Sequence, residues 1–211
     1  IRKIYKFDIL HLINNRPEIK FIKGFITNYS YGSNISSGNL YNNLLKILKK
    51  NTGYEMRRIE KDFNVEYIMN PNELQINEII NFFLIQKEKQ LKRTNGWNYL
   101  RFADYKNYII NLKKLDQINI NFTCIKINKK IIASHIGYTF DNIYYYIFPT
   151  YDIFYKKYSP GNILLYKILE NIKINEFNYI DFTIGNEIYK RKLSNTRVDL
   201  SDYLKPFSIK G

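Results

Sequence analysis

Residues 120–149 read INFTCIKINKKIIASHIGYTFDNIYYYIFP, and along them apolar side chains recur at about every second position. A period of two belongs to a strand with one face buried. Phe122–Ile127 is therefore expected as a strand, Asn128 and Lys129 as a tight turn, and Ile131–Tyr138 as a second strand. Asp141 and Asn142 make a second turn into a third strand, Ile143–Phe148. Three strands joined by turns this short form an antiparallel meander. Pro149 is expected to end the third strand, because it has no N–H to give to the ladder.

Downstream, a polar and aromatic loop (Tyr151–Tyr158) leads to Ser159, Pro160 and Gly161. A helix over roughly Asn162–Ile174 follows, with Ile163, Leu164, Lys167, Ile168 and Ile172 spaced around one side. Tyr179–Phe182 then reads as a short strand, and strand, helix, strand in this place implies a parallel crossover. Asn186–Leu193 is expected to be helical, with a last strand near Arg197–Leu200.

Upstream, the apolar period lengthens to that of a helix. Tyr41, Leu44, Leu45 and Leu48 form one stripe, and Met56, Ile59 and Phe63 form another after Gly53. After Pro71, Asn72 and Gln75 stand as N-cap and capping-box partner of a helix burying Ile76, Ile79, Ile80 and Phe83. A fourth helix is expected near Tyr105–Leu115. Residues 1–40 have apolar stretches at Ile9–Ile13 and Phe21–Ile26, then a Gly/Ser/Asn loop over Tyr29–Gly38. They do not read as a complete domain. The expectation is an α/β fold: a mixed, mostly antiparallel sheet with flanking helices and one β-α-β crossover.

Composition sets outer limits. The chain has 211 residues, 45% apolar and 25% charged, as in an ordinary globular domain. No apolar run approaches the roughly 20 residues that span a bilayer, and a cytoplasmic setting is expected. Since the sequence starts at Ile1, it carries no information on a leader peptide. One cysteine, Cys124, excludes an intrachain disulfide, and two histidines, His11 and His135, argue against a Cys/His zinc site. The +14 net charge fits a polyanionic partner, yet the abundance of Ile, Lys, Asn and Tyr also fits codon bias.

Several short segments fall in one order: Pro149-Thr150-Tyr151-Asp152, Tyr158-Ser159-Pro160-Gly161, Leu164-Leu165, Asp181–Gly185 and Glu187–Lys190, with Met56–Glu60 and Ala133–Gly137 upstream. Together they resemble the GNAT-superfamily domain of bacterial cellulose-biosynthesis-type acetyltransferases, which are related to FemAB-type aminoacyltransferases. The resemblance spans about Tyr41 to Leu200. It implies that residues 1–40 end a preceding GNAT-like half, that 41–211 form the acyltransferase domain, and that the N-terminal half of the same protein is a partner. It also implies acetyl-CoA or another acyl-CoA as donor, without a metal, and transfer to an amine or hydroxyl of a small molecule, a sugar or an envelope precursor.

A helix start at Ser159, Gly161 and Asn162 offers backbone N–H groups and a positive dipole end to a pyrophosphate, with Lys156 and Lys157 as neighbouring cations. The same residues serve equally as a plain helix-start turn. The usual pattern (Arg or Gln, two residues, Gly, any, Gly or Ala) keeps one glycine here. Pantetheine is expected between the strands Ile143–Phe148 and Tyr179–Phe182, with the thioester carbonyl polarised by a backbone N–H near Tyr146–Phe148. His135 is a candidate base by its ordinary pKa, or a core histidine. Asp152 and Asp181 are alternative bases, or turn caps. Tyr189 is a candidate acid and Lys190 a candidate anion ligand. Cys124 lies in an apolar strand and reads as a small buried hydrophobe. Two other functions stay open: a FemAB-like transferase using aminoacyl-tRNA, and a nucleic-acid-binding module.

Overall fold

The computed structural model describes residues 22–95, 104–115, 118–172 and 177–204, with side chains from residue 29 to 200 within them. The chain divides into two compact units, Ser30–Arg197 and one combining Ile1–Tyr29 with Val198–Gly211. The larger unit carries almost all the described structure. In order, the elements are β1 (Ile22–Asn34), α1 (Gly38–Asp62), β2 (Val65–Ile68), α2 (Glu73–Arg93), α3 (Tyr105–Leu112), β3 (Asn119–Ile127), β4 (Lys130–Phe140), β5 (Ile143–Tyr151), a 3-10 helix (Ile153–Tyr158), α4 (Pro160–Asn171), β6 (Tyr179–Ile184), α5 (Ile188–Leu193) and β7 (Thr196–Leu204). The strands form one sheet in the order β2-β3-β4-β5-β6-β1-β7. β2–β3, β3–β4, β4–β5 and β6–β1 pair antiparallel, and β5–β6 pairs parallel. This is the mixed α/β architecture expected, with α4 as the crossover.

The meander forms where the period of two placed it. Asn128 and Lys129 (φ 49 and 67) and Asp141 and Asn142 (φ 48 and 58) all take positive φ. Two such residues in succession make the turn whose twist matches the flanking strands. Odd positions of β3 (Ile125, Ile127) enter one core with α1 and α4, and even positions (Phe122, Cys124) enter a second core with Ile79, Ile80 and Phe83 of α2. Asn72 caps α2, its side chain accepting the Gln75 N–H while the Gln75 side chain accepts the Asn72 N–H.

Four expectations need correction. The two stripes before Asp62 belong to one helix, because Tyr41, Leu44, Leu48, Thr52 and Ile59 lie on a single buried face. Gly53 costs roughly 1 kcal/mol in a helix interior. Burying one Leu or Ile contributes about 1.5–3 kcal/mol, so the packing of Leu48 and Ile59 on either side outweighs it. Tyr29–Asn34, read as loop, is the end of β1, and Ser30–Asn34 pair antiparallel with β6. The serine hydroxyls that made it look like a loop bond inward, Ser30 to Asp181 and Ser33 to the Leu193 carbonyl. The crossover helix is shorter than expected and stops at Asn171, since Ile172 is already extended.

Pro149 does not end β5, which continues to Tyr151. Asp152 N–H donates to Ile132 O at 2.8 Å, and His135 stands opposite Pro149. By the alternation of an antiparallel ladder, the nitrogen of Pro149 then faces away from β4. The missing N–H costs no bond to that neighbour.

Candidate functional site

The parallel strands β5 and β6 pair only at Ile143, Tyr144 and Tyr145 against Tyr179, Ile180 and Asp181. Beyond that level β5 runs six residues further and β6 three, with no pair between them. Local causes lie on both strands. A register shift between Ile136 and Tyr138 marks a bulge against β5, which bends a strand and increases its twist. On β6, Thr183 (φ 64) and then Gly185 (φ 138) turn the chain. The result is a fork whose β5 edge offers free backbone groups. Phe148 is opposite Ile136 in the bonded register, so its N–H serves β4, and its ring packs 5.3 Å from that of Phe83. The bulge sets Tyr146 and Ile147 together opposite Gly137, at the level where β5 parts from β6.

Helix α4 begins beside this fork. Ser159 is left-handed (φ 49, ψ 48) and its side chain caps nothing; Pro160 is the first helical residue. The N–H groups of Asn162 and Ile163 both bond the Ser159 carbonyl, and Pro160 has none, which leaves Gly161 as the donor facing outward. A Cβ on Gly161 would meet only the Tyr151 ring at 3.6 Å, an ordinary contact. The protein's own packing therefore does not require glycine there. Ser159 occupies the first glycine of the GNAT pattern, in a conformation that glycine adopts freely. A cleft of about 310 Å³ runs from Asn162 to α5 and α1, lined by Leu48, Asn51, Thr52, Ile188, Tyr189, Lys192 and Leu193.

At the end of β6 a polar cluster locks the turn into α5. Lys190 is 4% exposed; its Nζ donates to the Ile184 carbonyl at 2.8 Å and pairs with Glu187 at 3.1 Å. Asp181 accepts from Ser30 Oγ at 3.0 Å and from the Thr183 N–H at 2.6 Å. Burial raises the Asp181 pKa, against the pull of those two hydrogen bonds and Lys190. Burial likewise raises that of Tyr189, helped by Glu187, so the phenol stays protonated near neutrality.

His135 is 0% exposed, and neither ring nitrogen has a hydrogen-bond partner. It stacks on Tyr146 with 4.3 Å between centroids and an 11° interplanar angle, and burial pushes its pKa down to about 3. The ring is thus neutral and has no surface to offer a substrate. Asp152 sits at the mouth of the 3-10 helix and caps it, accepting the Phe154 N–H at 3.1 Å. Lys156 and Lys157 are exposed on that helix, Lys157 lying 4.8 Å from the centre of the Tyr158 ring. The fold thus gathers Asp181, Tyr189 and Lys190 around the end of β6, and Ser159, Gly161 and Asn162 at α4, while His135 lies in the core.

Sequence reading missed Lys87. It stands one helical turn beyond Phe83 on α2, only partly exposed, and burial lowers its pKa, with Glu187 opposing and Lys190 assisting. A charged residue at i+4 from a buried Phe was the available signal. Among the described residues, no His, Cys, Asp and Glu side chains form a group of three or more able to hold a metal ion, and no helix is long and apolar enough to cross a membrane.

Residues 48–191 match the family described as an acetyltransferase (GNAT) domain. No curated protein matches the sequence. Among solved structures, a conserved protein of unknown function from Bacteroides thetaiotaomicron is similar with a TM-score of 0.60 and 15% identity, over 94% of this chain and 66% of that one. The C-terminal domain (DUF2156) of a candidate lysylphosphatidylglycerol synthetase from Agrobacterium fabrum is similar with a TM-score of 0.51 and 12% identity, over 89% and 54%. At such identities the likeness is one of fold, and the chain spans under two thirds of the length of each.

Proposed function

This chain belongs to the family of acetyltransferase (GNAT) domains, and on that premise we propose that it transfers an acyl group, acetyl for preference, from acyl-CoA to an amine or hydroxyl of a sugar or cell-envelope precursor. The observation that carries the reading is the fork: β5 leaves β6 after Tyr145, and the bulged residues Tyr146 and Ile147 stand where the gap opens. An extended pantetheine can add to a strand edge of this kind, as peptides do elsewhere. The first turn of α4, with Gly161 open to close approach and Lys156 and Lys157 upstream, is suited to the pyrophosphate. The family relation we favour is to cellulose-biosynthesis-type and FemAB-type transferases, with residues 1–40 ending a preceding half that serves as partner.

In the transfer, the acceptor's nitrogen or oxygen bonds to the thioester carbonyl carbon, the C–S bond breaks, and the acceptor's proton ends on the departing sulfur. A backbone N–H of the bulged pair, Tyr146 or Ile147, would stabilise the charge that develops on the carbonyl oxygen. Asp181, whose raised pKa brings it nearer neutrality, is the better base of the original candidates, and Tyr189, protonated and lining the cleft, is the acid. Lys190 holds the β6–α5 turn through the Ile184 carbonyl and Glu187. His135 backs the strand that carries Ile147.

A calorimetric titration with acetyl-CoA, repeated at high salt, tests this. Saturable binding that survives salt, and weakens at least tenfold in Gly161→Asp, is expected. The +14 charge keeps one other donor in view, an aminoacyl-tRNA. Indifference to acetyl-CoA, with RNA binding that falls steeply with salt, would replace our reading by that one.

A further inference from the structure

The 3-10 helix between β5 and α4 carries the most exposed aromatic ring among the described residues' large apolar side chains. Phe154 is 86% exposed, with Ile153 and Tyr151 at 37% each. This exposure is not that of a loose loop. Asp152 accepts the Phe154 N–H, its own N–H donates to Ile132 O at 2.8 Å, and the Tyr155 N–H bonds the Asp152 carbonyl. At the other end Tyr158 is 2% exposed and donates to Asp62 at 2.7 Å, and Phe63 packs edge-on against both Tyr155 and Tyr158. The anchored aromatics face inward, and Ile153 and Phe154 are held outward.

Cations follow the pair along the same short helix. Lys156 and Lys157 are exposed on the same helix. Lys157 and Arg58 lie 4.8 and 5.1 Å from the centre of the Tyr158 ring. Asp62 and Asp152 accept hydrogen bonds from this helix and keep their charges, so the exposed Lys156 and Lys157 supply the attraction at the tip. A rigid apolar tip followed on its own helix by two exposed lysines, on a chain of net charge +14, is complementary to an anionic lipid surface: the apolar pair enters the headgroup boundary and the cations meet the phosphates. Nucleic acid would use the charge and could stack on Phe154, but Ile153 has no π-face and would gain nothing there.

We propose that Ile153 and Phe154, with Lys156, Lys157 and Arg58, form a docking surface for anionic membrane. The surface adjoins the start of α4, so a docked chain carries its donor-side loop at the bilayer. The surface shares Lys156 and Lys157 with the proposed pyrophosphate site, and Ile153 and Phe154, which belong to the surface alone, separate the two in the test.

Co-sedimentation of the chain with vesicles of phosphatidylcholine and phosphatidylglycerol (7:3), and with phosphatidylcholine alone, tests it. Binding to the anionic vesicles only is expected, weakening with salt. Phe154→Ser should lower it about tenfold and Lys156→Glu about fivefold or more, with wild-type circular-dichroism melts. Since Ile153 and Phe154 touch nothing in the proposed site, acetyl-CoA binding should be unchanged in Ile153→Ser/Phe154→Ser. Absence of binding to anionic vesicles overturns the proposal. So does equal binding of wild type and Phe154→Ser, since the attraction would then be general charge. A short RNA that displaces the chain from vesicles, and itself loses affinity in Phe154→Ser, would assign the surface to nucleic acid instead.

Discussion

Acidification should destabilise this protein through one side chain, His135. Folded, the ring has no exposed surface and no hydrogen-bond partner, and burial holds its pKa down to about 3. Unfolded, it titrates near 6.5. Between those values the unfolded chain binds a proton that the folded chain refuses. The contribution is therefore fully present above pH 6.5 and is lost as the pH falls from 6.5 towards 3. At pH 5 protonation favours the unfolded form about thirtyfold relative to pH 8, or about 2 kcal/mol. This figure depends on the unfolded pKa and hardly at all on how far below 5 the folded one lies. For a chain of this size it corresponds to a melting temperature about 4–8 °C lower. Melts of wild type and His135→Phe at pH 8 and pH 5 isolate the effect, since Phe keeps a ring on Tyr146 and every other group is common to both proteins. The variant should lose about 2 kcal/mol less than wild type between the two pH values. Parallel losses, or an NMR titration of His135 near 6.5, would refute the argument.

Two further outcomes test the packing around the fork. A Cβ at Gly137 would stand 2.5 Å from His135 Cε1 and 2.6 Å from the Tyr145 carbonyl oxygen, so Gly137→Ala should destabilise by about 1–3 kcal/mol. A urea midpoint equal to that of wild type would show that the bulge can open. Cys124 is 0% exposed, with a pKa pushed up to about 12 by burial. The native protein should therefore react with a thiol reagent only as fast as it unfolds, and prompt labelling without denaturant would place Cys124 on an open path.

Local chemistry was readable wherever a residue acts on its own neighbours. Asn72 and Gln75 cap a helix because they lie three residues apart, and Asn128 and Lys129 turn the chain because nothing longer separates two alternating runs. Asp152 was as easily a cap as a base, and its partner, the Phe154 N–H, is two residues away. The motifs around Gly161 and Lys190 were readable as turns for the same reason: each is short and has its own geometry.

Pairing and burial across long separations were not readable. Pro149 looked like the end of a strand because its missing N–H is a local fact, whereas the direction in which that nitrogen points follows from its register against His135. Gly53 looked like a helix break until Leu48 and Ile59 found the same core. The serines of β1 looked like loop until Ser30 met Asp181, 151 residues away. His135 had the pKa of a base by residue type and lost it by enclosure, while Lys87 acquired its place from Glu187 and Lys190, about a hundred residues further on. Periodicity, caps and turns depend on neighbours along the chain and are written in it. Which strand edge stays open, and which charge is shielded from water, depend on neighbours in space, and those exist once the sheet has formed.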